Sequence, residues 1–494
     1  MAASFTVLDI VVLVAYLVGV VVMGLWFSGR QKSARDYFLA GHAVPWWAIC
    51  FSVVATETSA LTFISVPATA YTSDFWFLQL ACGYLLGRIG IAVVLLPRYF
   101  RGELTTAYQL LEHRFGLNAR RYASGIFMIT RAFADSVRIF AAAIPIALLT
   151  GLPYWQSILL AGLVTVLYTY YGGLKAVIWV DVVQMLLYIF GGLVTLWMLI
   201  KLVPDGWSGI MSYAADAGRL RVVHLEGGVG SDRWLFTGLI GGAFLSMASH
   251  GVDHMIVQRL LAASSLRAAR LALVGSGILV ILQFALFLLV GAGLYAHYQA
   301  RPFAVPDEIF PRFILEGLPP GISGLIVAGI MAAMMSTVAS SLNSLASAST
   351  HDVYAPIAGR VGDEDHLLKV GRRFTLIWAA ILIGGAMLFQ LVQQGTPVVV
   401  IALQIASFTY GGLLGAFLLG LVDARARQRD VLVGMTTAIV LMAVLWTLKQ
   451  FGVLAELGGV GRWLSFSGFW FALVGSIITL LVGGASARLR PRTV

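Results

Sequence analysis

Residues 50–66 read CFSVVATETSALTFISV, and the polar letters in the middle decide the fold. Thr56, Glu57, Thr58, Ser59 and Thr62 interrupt a long apolar segment that Pro45 and Pro67 bracket. At about 1.5 Å of rise per residue, a helix here places the polar patch near the middle of a membrane-spanning element. A carboxylate at that depth is costly and marks a functional site by default. A neighbouring helix could satisfy Glu57 alone. Five oxygen-bearing side chains within seven residues exceed what helix packing requires.

The surrounding chain has the composition of a membrane protein. Of its 494 residues, 59% are hydrophobic and 11% charged, and the mean hydropathy is +0.89. Soluble domains carry about a quarter charged residues. The apolar runs predict about thirteen helical spans, near 5–28, 45–70, 75–97, 122–149, 153–171, 175–201, 234–258, 270–297, 319–350, 370–393, 397–421, 430–448 and 465–486. The first run lacks a basic leader and a cleavage site, so it reads as a retained helix. With the loops assigned alternately, 22 of the 33 basic residues fall on one face and 8 on the other. Only Arg88, Arg131 and Arg138 lie within spans. The asymmetry predicts a plasma (inner) membrane protein with its N-terminus outside and its C-terminus cytoplasmic. The net charge of +10 follows the loops of one face, which argues against a nucleic-acid surface. Cys50 and Cys82 both sit in apolar segments and suggest neither a disulfide framework nor a zinc site. No nucleophile elbow, P-loop or dinucleotide fingerprint stands out, so the chain does not read as an enzyme. Two outer loops are long: 202–233, and 298–318 with the amphipathic piece DEIFPRFILEG, which reads equally as a lid or a plain connection.

A second constellation lies in AGIMAAMMSTVASSLNSLASAST, residues 328–350. Ala333, Ser336, Thr337 and Ser340 share one helical face. Small residues serve close helix approach, but Ala and Gly would suffice for that. Paired hydroxyls supply neutral hard oxygens, and a helix broken around a cavity supplies carbonyls. A break near Ala55–Thr58 facing this ladder would cage a hard monovalent cation. Among the intramembrane charges, Arg131, Asp135 and Arg138 follow i, i+4, i+7, so Asp135 can pair with either arginine. Arg138 is the deeper and suits a substrate carboxylate. Asp181 could complete a cation path, or anchor Lys175 or a helix N-terminus. Arg88 has no obvious local partner. His250 and His254 are spaced i, i+4, but with no glutamate between them they make a poor metal site.

The stretches ARDYFLAGHAVPWW, ATETSALTFISVPATAY, YGGLKAVIWVDVVQ, GVDHMIVQRLLAA and AGIMAAMMSTVASSLNSLASASTHDVY resemble the sodium/solute symporter family. Their phrasing is nearest its monocarboxylate/iodide and sialic acid branches. The resemblance implies an all-α integral membrane protein with a LeuT-like five-plus-five inverted repeat, one extra helix before it and two after. The segments would be 1–44, a first repeat 45–201, an outer loop 202–233, a second repeat 234–421 and an extension 422–494. It implies alternating access around a midplane site, with spans two and seven broken. The family's common sodium site falls on Ala55, Thr58, Ala333, Ser336 and Thr337. An accessory sodium path would use Asp181 and Ser340, but Ala339 replaces one hydroxyl of that set, so one coupled sodium is expected. The substrate pocket maps onto Thr56, Glu57, Ser59, Thr62, Phe77 and Arg138. Ala81 and Glu57 depart from the sialic acid branch, which disfavours sialic acid itself.

These readings converge on a sodium-coupled symporter of a small polar organic solute, an organic acid or amino acid first, with sodium ion as the coupling ion. Its partners would be that solute and the lipid bilayer, with neither nucleic acid nor an obligatory protein partner. A sugar or polyol symporter, proton coupling through Glu57, and a transporter-like membrane sensor are the alternatives.

Overall fold

The computed structural model describes residues 6–28, 32–58, 60–102, 104–392, 398–456 and 458–489. The described residues form helices and connections. The principal helices are α1 (Val7–Ser28), α2 (Trp46–Glu57), α3 (Ala60–Thr72), α4 (Phe77–Val94) and α5 (Leu117–Thr150). Next come α6 (Tyr154–Leu202), α7 (Gly242–Gly251), α8 (His254–Leu261), α9 (Leu266–His297) and α10 (Ile309–Glu316). The chain ends with α11 (Ile322–Ala348), α12 (Glu364–Val392), α13 (Val398–Val422), α14 (Gln428–Gln450) and α15 (Phe471–Leu489). Among the described residues, eight helices are long and apolar enough to cross a membrane, or nine if the bent pair around residue 58 counts as one span. Helices dominate because no water in the hydrocarbon layer can satisfy a backbone amide or carbonyl.

Where the sequence predicts two spans, 153–171 and 175–201, the structure has one long element with a sharp break inside it. Gly173 adopts φ 56°, ψ −157°, and the helix resumes at once. A Cβ there would lie 2.4 Å from the Tyr37 carbonyl oxygen. Only glycine permits both that conformation and that approach. With no polar connection between them, the two apolar runs bend without an intervening loop.

Helix α11 is the centre of the molecule. It packs on α1, α2, α3, α5, α6, α8 and α12, and every residue from Ile326 to Ala348 is buried. Its N-terminal end is anchored by α1. Asp9 is buried and accepts hydrogen bonds from the Gly321 and Gly324 amides at 2.8 and 2.7 Å. The carboxylate thus meets amides that have no intrahelical partner, at the positive end of the helix. Gly324 permits the approach, since a Cβ there would sit 2.6 Å from the Asp9 Cα.

The two long connections pack onto the helices. Helix α10, the amphipathic piece foreseen as a lid or a connection, buries Ile309, Phe310, Phe313 and Ile314. Phe310 stacks on Phe63 of α3 with ring centroids 5.2 Å apart, and Phe63 also meets Tyr188 and Phe287. The segment after residue 219 ties down the start of α4. The Arg221 carbonyl accepts from Phe75 N at 3.0 Å, and His224 lies 3.0 Å from Asp74.

Replacing Asp9 by Ala leaves the first amides of α11 unpaired, at a cost of about 1–2 kcal/mol by analogy with lost helix caps. The expected outcome is a lower thermal-unfolding midpoint in detergent. Gly324→Val should lower it further by forcing α1 away from α11.

Candidate functional site

Two helices break near the molecule's middle, and each break has a local cause. Helix α2 ends at Glu57. The Thr58 amide closes the last turn onto the Val54 carbonyl at 2.9 Å, but Thr58 itself is extended, with φ −76° and ψ 108°. Helices α2 and α3 meet at a 66° bend. The carbonyls at such a helix end lack helical partners and are available to a ligand. The second break follows Gly251. Val252 leaves the helix, Asp253 is extended, and its carboxylate caps α8 by accepting from the Met255 amide at 2.9 Å.

The first break faces the hydroxyl ladder across a small cavity. Ala55, Thr58, Gln184, Met185, Tyr188, Ala333 and Ser336 line it, and the free space at its middle is about 10 Å³, that of one water-sized particle. Four of the five residues singled out for sodium therefore surround one cavity. Thr337 is buried beside them and donates to the Ala333 carbonyl at 3.1 Å. Ser336 donates to Asp181 Oδ1 at 2.6 Å, which leaves its oxygen lone pairs available. Thr58 Oγ1 exchanges hydrogen bonds with the Gln283 amide group at 2.9 and 3.2 Å. The donor set is neutral oxygen with one carboxylate behind it, the chemistry of a hard monovalent cation.

Asp181 and Ser340 do come together, but around a guanidinium. Arg259 of α8 is fully buried and donates to Asp181 at 3.2 Å, to Ser52 at 2.8 Å, to the Met255 carbonyl at 2.8 Å and to Ser340. Ser52 also donates to Asp181 at 2.5 Å. A fixed cation thus lies where the accessory sodium path was expected.

The residues mapped to a substrate pocket are distributed unevenly. Thr56 is buried, donates to the Ser52 carbonyl at 2.7 Å and lies 3.1 Å from the Ser340 hydroxyl. Glu57 forms an ion pair with Arg88 and sits 3.5 Å from His250 Nε2. Arg88 in turn donates to Ser276 at 2.7 Å. Ser59 lies outside the described residues. Thr62 occupies the first turn of α3, and Phe77 opens α4 against Phe284 at 5.0 Å. Arg138 pairs with Asp135 at 3.1 Å, and its side chain keeps 20% exposure while that of Asp135 has none. Five residues before it on α5, Phe133 is exposed. At about 100° per residue the two point about 140° apart, so Arg138 faces away from that lipid-side position.

Arg131 also reaches Asp135, at 3.4 Å, but its main partner is Asp253. Tyr410 of α13 donates to Asp253 at 2.8 Å and accepts from Arg131 at 2.8 Å.

His250, weighed in the sequence only as a metal ligand, faces Glu57 instead, and several members of this centre escaped the sequence reading: Arg259, Gln283, and the cavity residues Gln184, Met185 and Tyr188. For the last three a signal existed. Asp181, Gln184, Met185 and Tyr188 stand at i, i+3, i+4, i+7, one face of α6. Arg259 and Arg88 find their partners on distant segments, so their sequence neighbours gave no indication.

This arrangement belongs to helical membrane proteins that transport rather than catalyse. Broken spans meet at a buried polar centre, and the fold is shared with solved transporters. Mhp1, a nucleobase-cation-symport-1 family transporter, superposes with TM-score 0.60 over 93% of this chain and 95% of its own, at 13% identity. A Na+-coupled sialic acid symporter, solved in a substrate-bound outward-open state, superposes with TM-score 0.86 at 28% identity over 99% of both chains.

The sequence profile of the Sodium:solute symporter family matches residues 37–438, and the chain belongs to that family. Curated relatives include the sodium/sialic acid symporter SiaT of Proteus mirabilis, 30% identical over 98% of this chain and 96% of its own. NanT of Aliivibrio fischeri, another sodium/sialic acid symporter, is 29% identical over 98% and 94%. The human sodium-coupled monocarboxylate transporter 1 is 29% identical over 87% and 72%. The protein is a multi-pass membrane transporter, not an enzyme, and its coupling ion is sodium.

Breaking the Glu57–Arg88 pair from one side should be costly. Glu57→Gln strands a buried guanidinium at about 3–5 kcal/mol, whereas Glu57→Gln with Arg88→Met removes both charges and recovers most of the loss. Thermal unfolding of the three proteins in the same detergent checks the order.

Proposed function

We propose that the protein imports a small solute bearing a carboxylate, drawing it inward with one sodium ion by alternating access. The observation that carries the reading is the cavity between the end of α2 and the hydroxyls of α11. Sodium would take carbonyls of Ala55, Thr58 and Ala333 and hydroxyls of Ser336 and Thr337. Its binding would pin the broken span to α11 and complete the outward-facing form. Substrate would bind beside it, among Thr56, Glu57, Ser59, Thr62, Phe77 and Arg138. Reciprocal linkage then requires sodium to tighten substrate and substrate to tighten sodium by the same factor. Inward sodium movement contributes about 2.3 kcal/mol per charge per 100 mV. Two inverted repeats, 45–201 and 234–421, would supply the rocking halves, with the N-terminus outside and the C-terminus in the cytoplasm.

The charge pattern supports an acid as the solute. Arg138 is the partly exposed arginine of the buried centre, and its guanidinium fork matches a carboxylate. Glu57 is committed to Arg88, which favours sodium over a proton carried on Glu57. The relatives that transport sialic acid and monocarboxylates fit the same class. Arg259, seated between Asp181 and Ser340, supports a single sodium.

A thermal-shift screen of organic acids, amino acids, sugars and sialic acid, with and without sodium, tests the reading. A ligand at a hundred times its Kd adds about 2.7 kcal/mol. The expected hit carries a carboxylate and is strengthened by sodium. A hit indifferent to sodium, or one that needs only a pH gradient for uptake, overturns the proposal. Ser336→Ala should weaken sodium about tenfold or more, and the wild-type sodium dependence should have a Hill slope near one. Arg138→Ala should abolish uptake of the acid while sodium still stabilises the protein.

A further inference from the structure

A chain of charged groups links Arg138 to the second helix break, and one atom in it is shared. Asp135 Oδ1 accepts from Arg138 at 3.1 Å and from Arg131 at 3.4 Å, while Ser341 of α11 donates to the other oxygen. Arg131 holds the Asp253 carboxylate through two nitrogens, one of them at 3.1 Å. The other oxygen of that carboxylate caps α8. Arg131, Asp135, Asp253 and Ser341 are buried, so their interactions are little screened. Arg138 is the more open end of this series.

We infer that Asp135 is a positioning residue that transmits the state of Arg138 to the cap of α8. The reasoning rests on the proposed meeting of Arg138 with a substrate carboxylate. Two guanidinium groups compete for one oxygen, so a firmer hold by one loosens the other. When a substrate carboxylate draws Arg138 away, Asp135 is left to Arg131. Arg131 already gives one nitrogen to Asp135 and two others to Asp253, and a closer approach to Asp135 draws the guanidinium away from Asp253. The cap of α8 weakens, and the inner half of the broken span is freed to move. Because α8 also carries Arg259, its movement withdraws the guanidinium from Asp181 and Ser340, beside the sodium cavity. Substrate binding at one break is thereby felt at the other, with a local charge rearrangement biasing a mobile element.

The test needs no solute. Full-length protein in lipid nanodiscs, in sodium buffer, is examined by amide hydrogen exchange across residues 254–261. Arg138→Gln leaves Asp135 to Arg131 and should speed exchange at the start of α8 about tenfold. Adding Asp135→Asn removes the competing anion and should restore exchange to within about twofold of wild type. Such rescue is the non-additivity expected of a relay. If Asp135 were only structural, the double variant would exchange faster than either single one, and that result overturns the inference. So does an unchanged rate in Arg138→Gln. Should Arg138→Gln fail to fold, Asp135→Asn alone decides: the relay predicts exchange no faster than wild type, and faster exchange refutes it. Uptake by Arg138→Ala reports separately on whether Arg138 meets substrate, so each idea can fail without the other.

Discussion

A helix that stops inside a bilayer leaves backbone groups that lipid cannot satisfy. Among the described residues two such stops meet at the polar centre, at Thr58 and at Asp253, and the rest of the centre answers them. Asp253 supplies its own cap. At Thr58 the break faces hydroxyls and a cavity of one-particle size. An ion that binds neutral oxygens fits this place because the helix end already offers them without the cost of a buried charge. Family membership and the cavity chemistry thus point to the same ion.

Buried charge elsewhere in the centre is arranged in compensated groups. Glu57 has Arg88, Asp181 has Arg259, and Asp135 and Asp253 share Arg131 and Arg138. Each group crosses between helices, so each records a particular relative placement of those helices. Removing one partner is far more costly than removing both. Such pairs suit a transporter, in which a limited number of arrangements must be distinct and exchangeable.

The packing follows the same economy. Helix α11 is buried along nearly its whole length and is fixed at its N-terminal end by Asp9. The cavity-lining residues Ala333 and Ser336 therefore sit on a buried element. The short helix α10 packs Phe310 into the aromatic group around Phe63.

Much of this was legible in the chain. The apolar runs marked the chain as a helical membrane protein, because burial in lipid demands about twenty apolar residues per span. The interrupted run at 50–66 located the first break, and spacing put Ser336 and Thr337 on one face of α11. Family and coupling ion followed from motifs that agree in order along the chain. What the sequence by itself could not decide is which buried charge meets which. Asp135 had two arginines within helical reach and takes both; Arg88 had none and finds Glu57 31 residues away. Arg259 gave no local hint that it would occupy the space between Asp181 and Ser340. Spacing reports neighbours on one helix, as for Asp135, whereas the Glu57–Arg88, Arg131–Asp253 and Asp181–Arg259 pairs form across helices whose relative rotation and depth arise only when the whole bundle packs. The tertiary structure alone decided them, since an unpaired charge in that interior is too costly to leave and the partner is whichever group the packing brings within reach.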